Sequence, residues 1–154
     1  HLVAHRAELP EDRDFLRLPW VLGDIVALND RGEIVVFDGT EYFGPGRDGK
    51  RYWVKRVIGV GGDRVSCTPK GGLVVNGSPV DEPWLAPGTT ACDTPFDVKV
   101  PQGRLFVLGD NRSDSADSRS HLGDPGGGMV PIDDVVGHVS WRYWPLDRIG
   151  GLGH

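Results

Sequence analysis

The segment Gly109-Asp110-Asn111-Arg112-Ser113-Asp114-Ser115-Ala116-Asp117-Ser118-Arg119 constrains this chain more than any other. Three acids, two arginines and three serines fall within eleven residues. The segment follows the apolar run Leu105-Phe106-Val107-Leu108, so it begins where a buried strand ends. Alternating charge and hydroxyl at a strand end predicts a fixed hydrogen-bonded network rather than a solvated loop. A second segment, Tyr52 to Asp63, sets Lys55 and Arg56 inside an apolar run of β type. On pattern alone, Lys55 is either an edge-strand gatekeeper or a partly buried functional lysine.

Between these segments lie short Val-rich runs separated by turn signals. Glycine at 23 positions and proline at 12 are too many for a helical protein and favour a mostly β fold. A length of 154 residues suits one domain, 1–154, with a core of its own. Strands are expected at Asp24–Asn29, Glu33–Phe37, Tyr52–Val60, Arg64–Cys67, Leu73–Val75, Val98–Val100, Arg104–Leu108 and His138–Tyr143. Residues 1–20 read as charged and irregular, and Ile132–Val136 as one helical turn. Pro101-Gln102-Gly103 reads as the turn between Val98–Val100 and Arg104–Leu108, and Pro69-Lys70-Gly71-Gly72 as the turn of a hairpin between Arg64–Cys67 and Leu73–Val75.

Several function classes are disfavoured. Net charge is −5 with no Lys/Arg cluster, which argues against a nucleic-acid partner. The five histidines are scattered without metal-ligand spacing, so no metal or other cofactor is expected. No apolar run reaches the roughly 20 residues of a membrane helix. Met129 is the only methionine, so the chain reads as an excerpt or a processed form. Cys67 and Cys92 would be buried thiols in an intracellular protein and paired in a domain outside the cytoplasm.

The two segments together resemble type I signal peptidases. Lys55-Arg56-Val57-Ile58-Gly59-Val60-Gly61-Gly62-Asp63 is similar to the family's general-base box. Gly109 to Arg119 is similar to its Gly-Asp-Asn-Arg…Ser-x-Asp-Ser-Arg box, and Arg31-Gly32-Glu33-Ile34-Val35-Val36-Phe37 to its Arg-Gly-Asp-Ile-Val-Val-Phe strand. Val75-Asn76-Gly77 and Gly137 to Pro145 also fit, and the likeness runs in order from about Gly23 to the C-terminus.

The resemblance implies a domain of coiled antiparallel sheets and a serine endopeptidase acting through a Ser/Lys dyad. Lys55 matches the general base and Ser115 the serine that orients it. Burial beside Val54, Val57 and Trp53, with Arg56 adjacent, would lower the lysine pKa as a base requires. Asp117 is expected to pair with both Arg56 and Arg119 and so hold the base strand. Asp110, Asn111 and Arg112 match a shaped turn, with Ser113 and Ser118 as turn caps. Val36, Trp53 and Val54 match strand positions lining shallow pockets for Ala-x-Ala cleavage sites, which Trp53 would narrow. The implied partners are preprotein signal peptides and a membrane surface. The implied location is the outer face of the bacterial cytoplasmic membrane, with an N-terminal anchor this chain lacks. There a Cys67–Cys92 disulfide is expected, closing a loop of 24 intervening residues worth about 3 kcal/mol.

One family element is missing. A Ser-Met-x-Pro-Thr-type box should precede the Gly-Asp that matches Gly23-Asp24. Here Phe15-Leu16-Arg17-Leu18-Pro19-Trp20-Val21-Leu22 contains no hydroxyl, and the first serine is Ser66. The nucleophile and its oxyanion donors therefore have no counterpart, and the chain as given is expected to be inactive. The alternative is a non-catalytic, signal-peptidase-like binding or assembly module. Retention of Lys55, Ser115 and Asp117 favours the enzyme; the absent serine favours the module. A self-cleaving repressor domain, which shares a Ser/Lys dyad, is more distant, because Gly109 to Arg119 is not its signature.

Overall fold

The computed structural model describes residues 2–5, 30–44, 51–142 and 150–151. The expected strand Asp24–Asn29, the Gly23-Asp24 pair and the stretch Phe15–Leu22 lie outside these residues. The described chain forms β1 (Leu2–His5), β2 (Ile34–Asp38), β3 (Tyr52–Val60), β4 (Arg64–Thr68), β5 (Gly72–Val75), β6 (Ser78–Pro79), β7 (Phe96–Lys99), β8 (Arg104–Leu108), β9 (Val130–Pro131), β10 (Val135–Arg142) and β11 (Gly150–Gly151). Single turns of 3-10 helix occupy Arg112–Asp114, Ser118–His121 and Ile132–Asp134. The expected turn near Ile132 is thus present but gives way at once to β10.

Two antiparallel sheets make up this mostly β architecture. The larger runs β1-β10-β2-β3-β8-β9, with β11 also on β10; the smaller runs β6-β5-β4-β7. β3 lies between β2 and β8, which removes the edge-gatekeeper reading of Lys55. Leu2–His5, expected to be irregular, instead pairs with β10. The expected hairpin of Arg64–Cys67 with Leu73–Val75 is present as β4 and β5, and the expected turn at Pro101–Gly103 joins strands of different sheets. β7 pairs with β4 in the small sheet, whereas β8 pairs with β3 in the large one. The turn carries the chain from one sheet to the other.

Alternation along β8 explains how the sheets pack. Side chains two apart share a face, so Phe106 and Leu108 point one way and Leu105 and Val107 the other. Phe106 and Leu108 join Ile58 of β3 and Val65, Cys67, Leu73, Val75 and Val100 in a core between the two sheets. Leu105 and Val107 join Val35, Phe37, Val57, Phe43 and Val130 in a second core on the far face of the large sheet. The site therefore rests on a sheet buried on both sides.

The turn after β3 is held by Asp63, which is buried. Its carboxylate accepts from Val60 N at 2.9 Å and from Asn76 Nδ2 at 2.8 Å. Asn76, at φ 51°, in turn accepts from Arg64 N at 2.9 Å. The β3–β4 turn at Asp63 and the distant Val75-Asn76-Gly77 turn between β5 and β6 are thus locked to each other.

The expected disulfide is not formed. Cys67 and Cys92 are both free thiols, 1% and 2% exposed, within the core between the sheets. Both pack as small apolar side chains, and the Cys92 thiol donates to Thr94 O at 3.1 Å. Burial, then the neighbouring Cys92, pushes the Cys67 thiol pKa up. The thiolate that disulfide formation requires is thereby suppressed. A thiol reagent should read two cysteines in denaturant and none in the native protein; rapid labelling without denaturant would contradict this packing.

Candidate active site

The pairing of β3 with β8 brings the two sequence motifs together. Arg56 lies opposite Leu108, so the chain leaving β8 at Gly109 emerges beside Lys55. Lys55 faces the far side of the sheet with Val35, its partner on β2, and with Val57. Its Nζ donates to Ser115 Oγ at 2.9 Å. The Nζ also lies 5.5 Å from the centre of the Trp53 ring. Burial is the largest influence on Lys55 and lowers its pKa. Asp117, Asp110 and Asp114 pull upward and Arg119 pushes down, but burial prevails.

Gly109 permits this contact. A methyl group on its Cα would lie 2.0 Å from Ser115 Oγ and 3.5 Å from Lys55 Nζ. Its amide donates to Asp117 Oδ2 at 3.1 Å, and its carbonyl accepts from Arg112 Nε at 3.0 Å. The residue is therefore fixed through both backbone groups while Ser115 occupies the space a side chain would need.

Asp117 has no exposed surface. Its Oδ1 accepts from Arg119 Nε at 2.8 Å and from Arg119 N at 3.2 Å, and Oδ2 accepts from Arg119 Nη2 at 2.8 Å. Burial alone would raise its pKa. Hydrogen bonds and charge from Arg119, with help from Gly109 N and the Ser115 hydroxyl, hold it below the ordinary carboxylate value instead. Ser115 thus bridges Lys55 and Asp117.

Arg56 does not join that cluster, which corrects the expected triple pairing. Its Nε and Nη2 donate to Asp110 at 2.8 and 2.7 Å, and Nη1 donates to Gly32 O at 2.6 Å. The cause is strand alternation: Lys55 and Arg56 are neighbours and point to opposite faces. Arg56 lies on the face that carries Ile58, and its guanidinium stacks 4.4 Å above the Trp84 ring. Two ion pairs thus flank β3: Arg56–Asp110 on the Ile58 face, and Arg119–Asp117, reached through Ser115, on the Lys55 face.

The three expected pocket residues divide in the same way. Val36 and Val54 are direct cross-strand partners, and Val54 is 42% exposed. Trp53 faces the Lys55 side. Its indole covers Gly39, where an added methyl would lie 2.4 Å from Trp53 Cδ1. Phe43 meets it edge-on at 5.4 Å.

Sequence reasoning missed three members of this region. Glu82 and Trp84 lie in a Pro- and Gly-rich loop with no periodic signal. Ser118 was expected as a turn cap, yet it is fully buried and accepts from Val107 N at 3.0 Å. Ser113 does act locally, donating to Asn111 at 3.0 Å.

Comparison with known proteins matches the signal peptidase, peptidase S26 family model over residues 13–144. The chain is 44% identical to signal peptidase I of Mycobacterium tuberculosis (strain ATCC 25618 / H37Rv), a match covering 63% of this chain and 38% of that one. It is 39% identical to signal peptidase I of Bacillus caldolyticus, covering 77% and 63%. It spans less than two thirds of the length of these relatives. A crystal structure of a signal peptidase I from Enterococcus faecalis V583 superposes with a TM-score of 0.53 at 26% identity, covering 71% of this chain and 94% of that one. Family model, relatives and solved structure agree with the two motifs that meet at Lys55, and the chain belongs to the signal peptidase family, peptidase S26.

Proposed function

We propose that the chain carries the base half of a signal peptidase I-type Ser/Lys centre. The observation that carries this reading is the Lys55 Nζ to Ser115 Oγ hydrogen bond at 2.9 Å on a lysine whose pKa burial lowers. A neutral Lys55 takes the proton from a serine hydroxyl as that oxygen attacks the scissile carbonyl carbon. The resulting ammonium gives the proton to the departing amine, and water then releases the acyl group. Ser115 orients Lys55, and Asp117 with Arg119 and Asp110 with Arg56 hold the two motifs in register. The substrates are preproteins with Ala-x-Ala sites, selected by shallow pockets, Trp53 lining the Lys55 face of the sheet and the cross-strand pair Val36 and Val54 the opposite face. The setting is a membrane surface on the outer face of the bacterial cytoplasmic membrane.

The nucleophile is the element in question, since Phe15 to Leu22 lacks a hydroxyl. The chain as given is expected not to cleave a preprotein in detergent. Leu16 stands three residues before Pro19, as the family serine stands three before its proline. Leu16→Ser should therefore confer cleavage at the Ala-x-Ala site, lost again on adding Lys55→Ala. Cleavage by the unaltered chain would overturn the inactivity. The second reading, a non-catalytic binding or assembly module, rests on the same missing hydroxyl. It prevails if Leu16→Ser stays inert and Lys55 titrates as an ordinary lysine.

A further inference from the structure

We propose that Glu82 is a positioning residue for the Lys55–Ser115 contact, acting as the buried counter-charge of Arg112. This deepens the reading of Lys55 as a base and rests on it. Glu82 and Arg112 form an ion pair whose side chains are 4% and 1% exposed. The pair is two-pronged: Nη2 meets Oε1, and Nη1 donates to Oε2 at 3.3 Å. Arg112 spends its other donors on backbone. Nη1 reaches Ala91 O at 2.7 Å, and Nε reaches Gly109 O at 3.0 Å. The Arg112 carbonyl accepts from Arg119 Nη2 at 2.9 Å, and Arg119 leads through Asp117 back to the Gly109 amide. Arg112 thus closes a ring of contacts whose fixed point is Gly109, and Gly109 sets where Ser115 Oγ sits.

A guanidinium cannot shed its proton at accessible pH, so it cannot escape burial by becoming neutral. Without Glu82 the cation must leave for water, because an unpaired buried charge is too costly to keep. Leaving takes Nε from Gly109 O and frees the wall against which Ser115 packs. Water then reaches Lys55. Because burial is what chiefly lowers its pKa, the lysine should regain proton affinity. The charged groups acting on it, Asp117, Arg119, Asp110 and Asp114, are all on the same segment and would loosen with it. A pair that served only to fasten the loop of Glu82 would lower stability and leave the Lys55 titration where it was.

The test is an NMR titration of 15N-labelled lysine side chains on the purified chain, with Lys55 assigned by Lys55→Arg. Glu82→Gln keeps the shape and removes the charge. It should move the Lys55 midpoint upward toward the ordinary lysine value of about 10.4. Glu82→Asp, which keeps the charge, should restore much of the parent behaviour. If Glu82→Gln does not fold, Arg112→Lys serves in its place, since it keeps the core neutral while removing the Nε donor to Gly109. A Lys55 midpoint unchanged in the folded variant overturns the inference and leaves Lys55 as base. A parent protein in which Lys55 already titrates normally overturns both.

Discussion

Replacing Asp117 by alanine should destabilise the protein by about 3–5 kcal/mol, the range for removing one partner of a buried ion pair. The side chain is fully buried, and Arg119, which it neutralises, is 15% exposed. Surface pairs such as Arg64–Asp97, 71% and 49% exposed, belong to a weaker class worth under about 1 kcal/mol. Three kinds of loss coincide at Asp117. Arg119 becomes an unpaired cation beside Lys55, and the Gly109 amide and the Ser115 hydroxyl each lose the acceptor that Asp117 provides. Urea unfolding of Asp117→Ala decides the matter. A midpoint indistinguishable from the parent would mean that solvent reaches the pair freely and that it does not brace the base strand.

The same variant makes a signed prediction about pH. Asp117 has its pKa lowered in the folded protein, so the folded state holds its proton less tightly than the unfolded state does. Stability from this group is therefore fully present above the unfolded value of about 3.9 and is lost as pH falls through the lower folded value. The gap between parent and Asp117→Ala should be constant near neutrality and shrink in acid. A gap that instead widened as pH fell from neutrality toward about 4 and then levelled off would show that the carboxyl is held protonated by burial.

Much of this site was legible because its chemistry lies in two continuous segments. Lys55 and Ser115 could be matched without knowing the fold, and the β3–β8 register then explains why they meet. Arg56 pairs away from Asp117 because period-two alternation sets it on the opposite face of the sheet from Lys55, which nearness of charges along the chain does not reveal. Glu82 carried no such signal. It meets Arg112 across 30 positions from a loop without periodicity, and only the tertiary fold brings an acid to that guanidinium. The passage of the chain between sheets at Pro101–Gly103 was illegible for a related reason. A Pro-x-Gly turn fits a hairpin and a sheet crossing equally well, and long-range pairing decides between them. The free thiols show the reverse: the proximity of Cys67 and Cys92 was expected, but covalent state follows from thiolate availability, which burial sets.

Gly109→Ala tests whether the geometry at the base depends on a missing side chain. Gly109 is not among the glycines with positive φ, so its backbone conformation would accept alanine. At an unhindered position of that kind the substitution stabilises a protein by about 0.4–1 kcal/mol. Here the added methyl would fall 2.0 Å from Ser115 Oγ and 2.6 Å from its Cβ, distances that packed atoms do not tolerate. Either Ser115 or the backbone must move, and the backbone is tied at both its amide and its carbonyl. The expected result is a loss of about 1–3 kcal/mol, typical of overpacking, together with loss of the Lys55–Ser115 hydrogen bond. Ser115→Ala should not relieve it, because the Cβ itself clashes; Ser115→Gly should. In a double-mutant cycle Gly109→Ala should therefore be markedly less costly beside Ser115→Gly than alone. Strictly additive costs would mean that the methyl is accommodated by a route that leaves Ser115 in place. The contact on which the proposed base depends would then owe nothing to Gly109.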